Sequence, residues 1–296
     1  MADDLANTRR TPSLSKPARS TIRLQDRDVA LLAWLFPHGL AEREQVEEAF
    51  FTSTARCNSR LLQLLKAGLI ARCPLQDQRS NQAVYRLTAA AYPIVARRLG
   101  LDVPTVRRIH RSRTNQHVAH GLCIVDLYVA ILRAVRNAPE LRLDLWLVEW
   151  QIRHEYRRLN NGKSQLSIFR PDAFARLQLP DRSYHSFFAE IDRAHVSGKK
   201  WQQTVTSHLS YARSGLFPQV YGTDTSFLSL AVTGGGQRRL DHLRDIARDC
   251  GAEMFRFTTE QRLRDGGFLG RIWQTVQDNQ PVALLPQLAN ATLEAK

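Results

Sequence analysis

The sequence predicts an α/β body built on a mixed sheet, preceded by a small, mostly helical module. Two patterns predict it. Apolar residues recur at helical spacing between Val29 and Leu69, and between residues 141 and 257 short strand-like runs alternate with helical ones. The composition agrees with a folded chain, since 43% of the 296 residues are hydrophobic and 24% are charged. The 42 Lys and Arg against 28 Asp and Glu give a net charge of +14, which selects a polyanionic partner over an acidic or neutral one. Residues 1–115 hold 19 of those bases and 10 of the acids, so the bias towards such a partner lies early in the chain.

Residues 1–21 are rich in Ser, Thr, Pro and Arg and too poor in apolar groups to offset the entropy of ordering, so they read as a disordered basic arm. Val29, Leu31, Leu32, Trp34 and Leu35 predict a first helix that breaks at Pro37-His38-Gly39. A second spans Ala41 to Phe51 and opens on an acidic turn, which suits the positive end of a helix. Ser53 or Thr54 can cap a third, with Leu61, Leu62, Leu64, Leu65 and Leu69 inward and Arg56, Asn58, Arg60 and Gln63 outward. Gly68 ends it. Ile70–Pro74 and Ala83–Leu87, joined by a polar turn carrying Arg79, predict a two-stranded ribbon.

Three helices and a ribbon in this order, above all Arg60-Leu61-Leu62-Gln63-Leu64-Leu65-Lys66-Ala67-Gly68-Leu69-Ile70 followed by Tyr85-Arg86-Leu87-Thr88, resemble the winged helix-turn-helix fold. The resemblance implies a DNA-binding domain over residues 22–103. Arg56, Asn58 and Arg60 of its third helix would meet bases or backbone, and Arg72, Arg79 and Arg86 of its wing would meet phosphate. The alternative is that these side chains form a solvated helical face.

Ala89–Leu99 reads as a further helix and residues 104–113, with Arg107, Arg108, Arg111 and Arg113, as a basic connector that marks the domain boundary. A long amphipathic helix follows over 114–137. Strands are then predicted at Leu141–Trp150, Ala173–Leu179 and Tyr184–Ile191, a helix at Lys199–Ala212, and a strand at Phe227–Val232. Gly234-Gly235-Gly236 turns the chain into a helix over Arg238–Cys250, and Glu253–Phe257 is a last strand. The body is thus 114–278, with 279–296 a tail lying loosely against it.

Acidic residues fall where two predicted strands end. Asp172 follows Arg170-Pro171, and Glu190 stands eighteen residues later in Phe187-Phe188-Ala189-Glu190-Ile191-Asp192-Arg193. Alternate strand residues share a face, so carboxylates at such positions can share a hard divalent cation. The helix–three strands–helix–strand order with these motifs resembles the PD-(D/E)XK nuclease superfamily. That resemblance implies Asp172 and Glu190 as ligands of Mg2+ and a catalytic set of Asp172, Glu190, Asp192 and Lys200. Asp192 stands at the position of the usual lysine, so the ammonium would come from Lys199 or Lys200. Two other readings stand beside it: a pseudonuclease that binds DNA without cutting it, and carboxylates that merely pair with Arg170 or Arg193. His117 and His120 could also reach a metal or phosphate from the long helix, although helical histidines are more often structural.

The complete order of elements, with Asn115-Gln116-His117, Arg170-Pro171-Asp172 and the Phe-x-x-Glu-x-Asp-Arg run, resembles the replication-relaxation family from about residue 24 to 260. It implies a DNA-binding protein of a plasmid or integrative mobile element, acting in replication, relaxation or transfer, with double-stranded DNA and replication or conjugation proteins as partners. A metal-dependent endonuclease or nickase, and a winged-helix transcriptional regulator dimerising through the helix at 114–137, are the competing functions. No apolar run of bilayer-spanning length is read, nor a leader, so a cytoplasmic protein without a membrane partner is expected. Cys57, Cys73, Cys123 and Cys250 lack metal or disulfide spacing and are expected to be reduced thiols.

Overall fold

The structure is a computed structural model that describes residues 22–74, 83–113, 118–160, 163–222 and 226–285. The basic arm, Arg79 at the ribbon's turn, His117 and residues 286–296 lie outside the described residues.

Helix α1 (Asp26–His38) places Leu31, Leu32, Leu35 and Phe36 in the first core, and its chain reverses at Gly39, whose φ of 80° suits a residue without a side chain. A two-residue strand β1 (Ala41–Glu42) leads into α2 (Arg43–Phe50). Helix α3 (Thr54–Lys66) is capped by Ser53, whose side chain accepts from the Arg56 backbone N–H. Cys57, Leu61 and Leu64 are its buried positions, spaced by four and three residues as one helical face requires. Leu62, expected inside, lies off that face and is 50% exposed.

Strands β2 (Ile70–Pro74) and β3 (Ala83–Leu87) pair antiparallel, and β1 joins the other side of β3. Helices α4 (Tyr92–Leu99) and α5 (Val103–Arg113) pack on each other behind this layer. Residues 104–113, expected as a connector, are thus helical. Val106 and His110 turn inward while Arg107 and Arg108 face solvent, an arginine-rich sequence folded by one buried stripe.

Helix α6 (Val118–Asn137) unites the molecule. Val125 and Val129 belong to the first core, and Cys123, Ile124, Leu127 and Ile131 belong to the core under the sheet. By length and composition this helix could cross a membrane, contrary to the expectation that no segment could. Its apolar side chains are instead packed inside protein: Leu122, Cys123, Ile124, Val125, Leu127 and Ile131 are at most 3% exposed. Each such burial contributes on the order of 1.5–3 kcal/mol.

The body is a six-stranded sheet formed by β4 (Arg142–Val148), β7 (Ala173–Gln178), β8 (Tyr184–Asp192), β9 (Phe227–Thr233), β10 (Phe255–Thr259) and β11 (Gln274–Thr275). Their order across it is β11-β10-β9-β8-β7-β4. β8 pairs antiparallel with β7 and parallel with β9, so the sheet is mixed as expected. On β8, Phe187, Ala189 and Ile191 face α6, while Phe188 joins an aromatic cluster on the opposite side with α7 (Gly198–Arg213) and α8 (Leu216–Tyr221). Helix α9 (Gly236–Asp249) lies beside α7, and α10 (Glu260–Gly266) follows β10.

Besides the two-residue strands β1 and β11, two longer strands were not read from the sequence. β5 (His154–Asn160) and β6 (Lys163–Phe169) pair only with each other and form a separate ribbon. The start of the expected loose tail is also structural: Val282 bridges to Trp273, and Leu284 and Leu285 are buried in the core.

Candidate functional site

Strands β4 and β8 run opposite to β7 between them, so the end of β4, the start of β7 and the end of β8 coincide. Each carries an acid there: Glu149 just after β4, Asp172 just before β7, and Glu190 near the end of β8. The backbone ties them together, because Glu149 N–H donates to the Asp172 carbonyl at 2.8 Å and Asp172 N–H donates to the Ala189 carbonyl at 3.1 Å. The Asp172 carboxylate accepts a 2.7 Å bond from Ile191 N–H through Oδ2, and Oδ1 lies 3.1 Å from His120 Nε2. Two of the sequence-predicted residues, Asp172 and Glu190, are therefore neighbours.

Glu190 projects to the α7 side of the sheet. Its Oε1 lies 2.8 Å from Nε2 of His208, whose Nδ1 lies 2.7 Å from Ser229 Oγ on β9. His208 is enclosed by Phe169 and Phe255, and burial pushes its pKa down to about 3, so the ring is neutral. Burial, and after it the charges of Asp172 and Glu149, push the Glu190 carboxyl well above the usual carboxylate range. Across the sheet, His120 is pulled down by burial but raised on balance by Asp172.

Asp192 does not belong to this group. It is 2% exposed and is gripped by Arg239, with Nε to Oδ2 and Nη2 to Oδ1 both at 2.9 Å, and it accepts from Thr233 Oγ1 at 2.7 Å. Burial raises its carboxyl, but these bonds and the guanidinium charge leave it below its ordinary value. Asp192, expected in the catalytic set, is thus held bidentately and forms a tie between β8 and α9. Gly235 permits it. A Cβ on Gly235 would stand 2.6 Å from the Arg239 Cβ and 2.9 Å from the Ala194 Cβ, so that turn must stay bare for Arg239 to reach back.

Lys200 lies exposed on the first turn of α7, and the α7 side chain that reaches Glu190 is His208, about two turns further on. Sequence reading missed His208 and Glu149. A histidine amid Trp201, Val205 and Tyr211 on a helix after the Glu190 strand was the available signal for the first, and an acid closing a strand was the signal for the second.

On the helical module, Arg56, Asn58, Ser59, Leu62, Gln63 and Lys66 of α3 are all exposed. Arg72 is exposed on β2, opposite Tyr85. Arg86 bends over the ribbon, its Nε 3.0 Å from Cys73 Sγ. Arg60 is different: Nε donates to Asp28 Oδ1 at 2.7 Å, Nη2 donates to Asp28 Oδ2 and, at 2.9 Å, to the Arg23 carbonyl. Arg60, expected to meet DNA, thus uses these donors to hold α3 to the start of α1. The four cysteines are free thiols. A cleft of about 420 Å³ lies elsewhere, between α2, α6 and α10, and is lined by Glu42, Glu44, Glu48, Asp126, Arg133 and Glu260.

Among the described residues no three His, Cys, Asp or Glu side chains converge as a protein-only metal cage. Asp172, turned to His120 of α6, and Glu190, turned to His208 of α7, are near enough for their charges to oppose one another; Mg2+ is commonly held by one or two carboxylates and completes its shell with water and phosphate.

This architecture defines a mixed α/β protein with paired acids at the shared ends of adjacent strands, carrying a helical module with an exposed polar helix. Residues 32–226 match the family model described as Replication-relaxation, more than half of the chain. The protein belongs to the replication-relaxation family. No curated protein matches the sequence.

Proposed function

We propose that the protein binds duplex DNA of a plasmid or integrative mobile element and acts in its replication, relaxation or transfer. Family membership supports the process, and the exposed face of α3 supports the contact. That face is the observation on which the reading rests. A helix with Arg56, Asn58, Ser59, Leu62, Gln63 and Lys66 outward, held rigidly from behind by Arg60 and Asp28, has the charge and hydrogen-bonding groups to enter a major groove. With the ribbon of β2 and β3 and its exposed Arg72 beside it, residues 22–103 act as a winged helix-turn-helix. The net charge of +14 supports electrostatic capture of DNA, and the cytoplasm is where such a partner is met. Binding to duplexes from the element's own origin and promoter, followed by footprinting, tests this. Protection at an origin or transfer site is expected, and protection confined to a promoter would turn the reading to transcriptional regulation.

The apposition of Asp172 and Glu190 favours a second activity on the same DNA, metal-dependent strand cleavage in a PD-(D/E)XK-like body. Asp172 and Glu190 would hold Mg2+, which supplies charge neutralisation at a phosphodiester when bound. Within the chain, Ile191 N–H and His120 fix Asp172, and His208 fixes Glu190. With Asp192 tied to Arg239 and Lys200 facing solvent, the water-activating ammonium of that superfamily has no equivalent at these positions. Incubating supercoiled DNA with the protein and Mg2+ or Mn2+, beside Asp172→Ala and Glu190→Ala, separates a nuclease from a DNA-binding relative. Intact supercoils in every lane would leave binding alone.

A further inference from the structure

The ribbon of β5 and β6 stands apart from both sheets, yet it is not loose. One face, with His154, Tyr156 and Phe169, is fixed to the aromatic cluster, where the Phe169 ring stacks on Tyr211 at 4.1 Å and His154 stacks on Tyr211 at 5.2 Å. The other face carries the register pairs Arg157–Leu166 and Glu155–Ile168. Leu166 is 58% exposed and Ile168 47%, and being alternate residues of one strand they stand side by side on that face. Arg157 is exposed beside them, and Arg153, just before the ribbon, is exposed and pairs with Glu155. Over residues 153–163 the sequence has three arginines and one lysine against the single acid Glu155. Exposed apolar side chains beside Arg157, on a base-rich segment of the sequence, suit a polyanion whose grooves offer thymine methyls and sugar carbons, namely duplex DNA, better than a neutral protein face. The major groove, about 12 Å wide, admits a two-stranded ribbon. β6 also ends at Phe169, three residues before Asp172, and the Phe169 ring centroid is 4.8 Å from that of His208.

We propose that the β5–β6 ribbon is a second duplex-binding arm, which lays Arg157, Leu166 and Ile168 in a DNA groove and so brings the backbone to the strand ends bearing Asp172 and Glu190. The inference rests on the DNA-binding reading above but concerns a different surface. The α3 face fixes where the protein sits; the ribbon fixes how the body meets the same duplex.

The experiment uses the full chain. p-Benzoylphenylalanine placed at Leu166 is irradiated with a labelled duplex that the wild-type protein binds, and crosslinking to that DNA is expected. In parallel, Arg157→Ala should flatten the log–log salt dependence of binding by about 0.9, and the Leu166→Ser/Ile168→Ser pair should weaken binding about tenfold. Both variants should keep the wild-type Tm, because the replaced side chains are exposed. Wild-type affinity in both variants, with no DNA crosslink from position 166, would overturn the arm while leaving α3-directed binding intact. A crosslink to a second copy of the protein would overturn it in favour of self-association. Failure of the wild-type protein to bind any duplex is a separate result, and it would remove the DNA-binding reading itself.

Discussion

Arg60 on α3 engages both carboxylate oxygens of Asp28 on α1, a residue with no exposed surface. An arginine in the middle of a polar helical face is thus a strut between helices. Breaking a buried ion pair from one side leaves the other charge unpaired and costs about 3–5 kcal/mol. Arg60→Ala should therefore lower the Tm strongly in a calorimetric scan, whereas Arg56→Ala, on the same helix but exposed, should leave it unchanged. Equal behaviour of the two variants would contradict the strut.

Asp192 and Arg239 form the corresponding tie in the body. Asp192→Lys restores the residue type that the nuclease pattern places there, yet it sets two cations against each other in a nearly closed space. Loss of several kcal/mol in urea unfolding is expected, with no gain of DNA cleavage. A stable Asp192→Lys protein that cuts DNA would show that the tie is dispensable and the position catalytic.

Glu190 is held near Asp172 and Glu149, and its ionised form is disfavoured. Glu190→Gln keeps the shape and removes the like-charge repulsion. Without added metal, the variant should unfold at the same or a higher temperature than wild type at pH 7. A clear fall in Tm would mean that the carboxylate charge is needed by His208 or the adjacent backbone.

His110 on α5 is buried, with Nδ1 2.9 Å from the Tyr92 hydroxyl on α4. Burial, and secondarily the charge of Arg86, hold its pKa below the ordinary imidazole value. As pH falls, the unfolded chain takes the proton first. The stability from neutral His110 is therefore complete above about pH 6.5 and is lost as pH falls below it. His110→Asn should flatten the dependence of urea midpoint on pH below about 6.5; an unchanged slope would assign the acid sensitivity elsewhere.

The elements with clean periodicity were legible from the sequence. β7, β8 and β9 lie within a residue or so of the expected bounds, and the acids Asp172 and Glu190 were placed together because strands of known order bring their ends together. The β5–β6 ribbon was not legible, since Arg157, Leu166 and Ile168 give alternation with an exposed apolar face, the reverse of the usual code. The intramolecular partners of Arg60 and Asp192 escaped for another reason. Each is set by tertiary packing, Asp28 being 32 residues from Arg60 and Arg239 being 47 from Asp192, and one-dimensional spacing does not carry that.

Duplex affinity measured by fluorescence anisotropy across a salt series, for the wild type and Arg56→Ala/Asn58→Ala, tests the central claim most directly. Steeply salt-dependent binding by the wild type is predicted, with weaker binding and a slope flattened by about 0.9 in the variant at unchanged Tm. Absence of duplex binding at low salt, or a variant indistinguishable from wild type, would contradict the account.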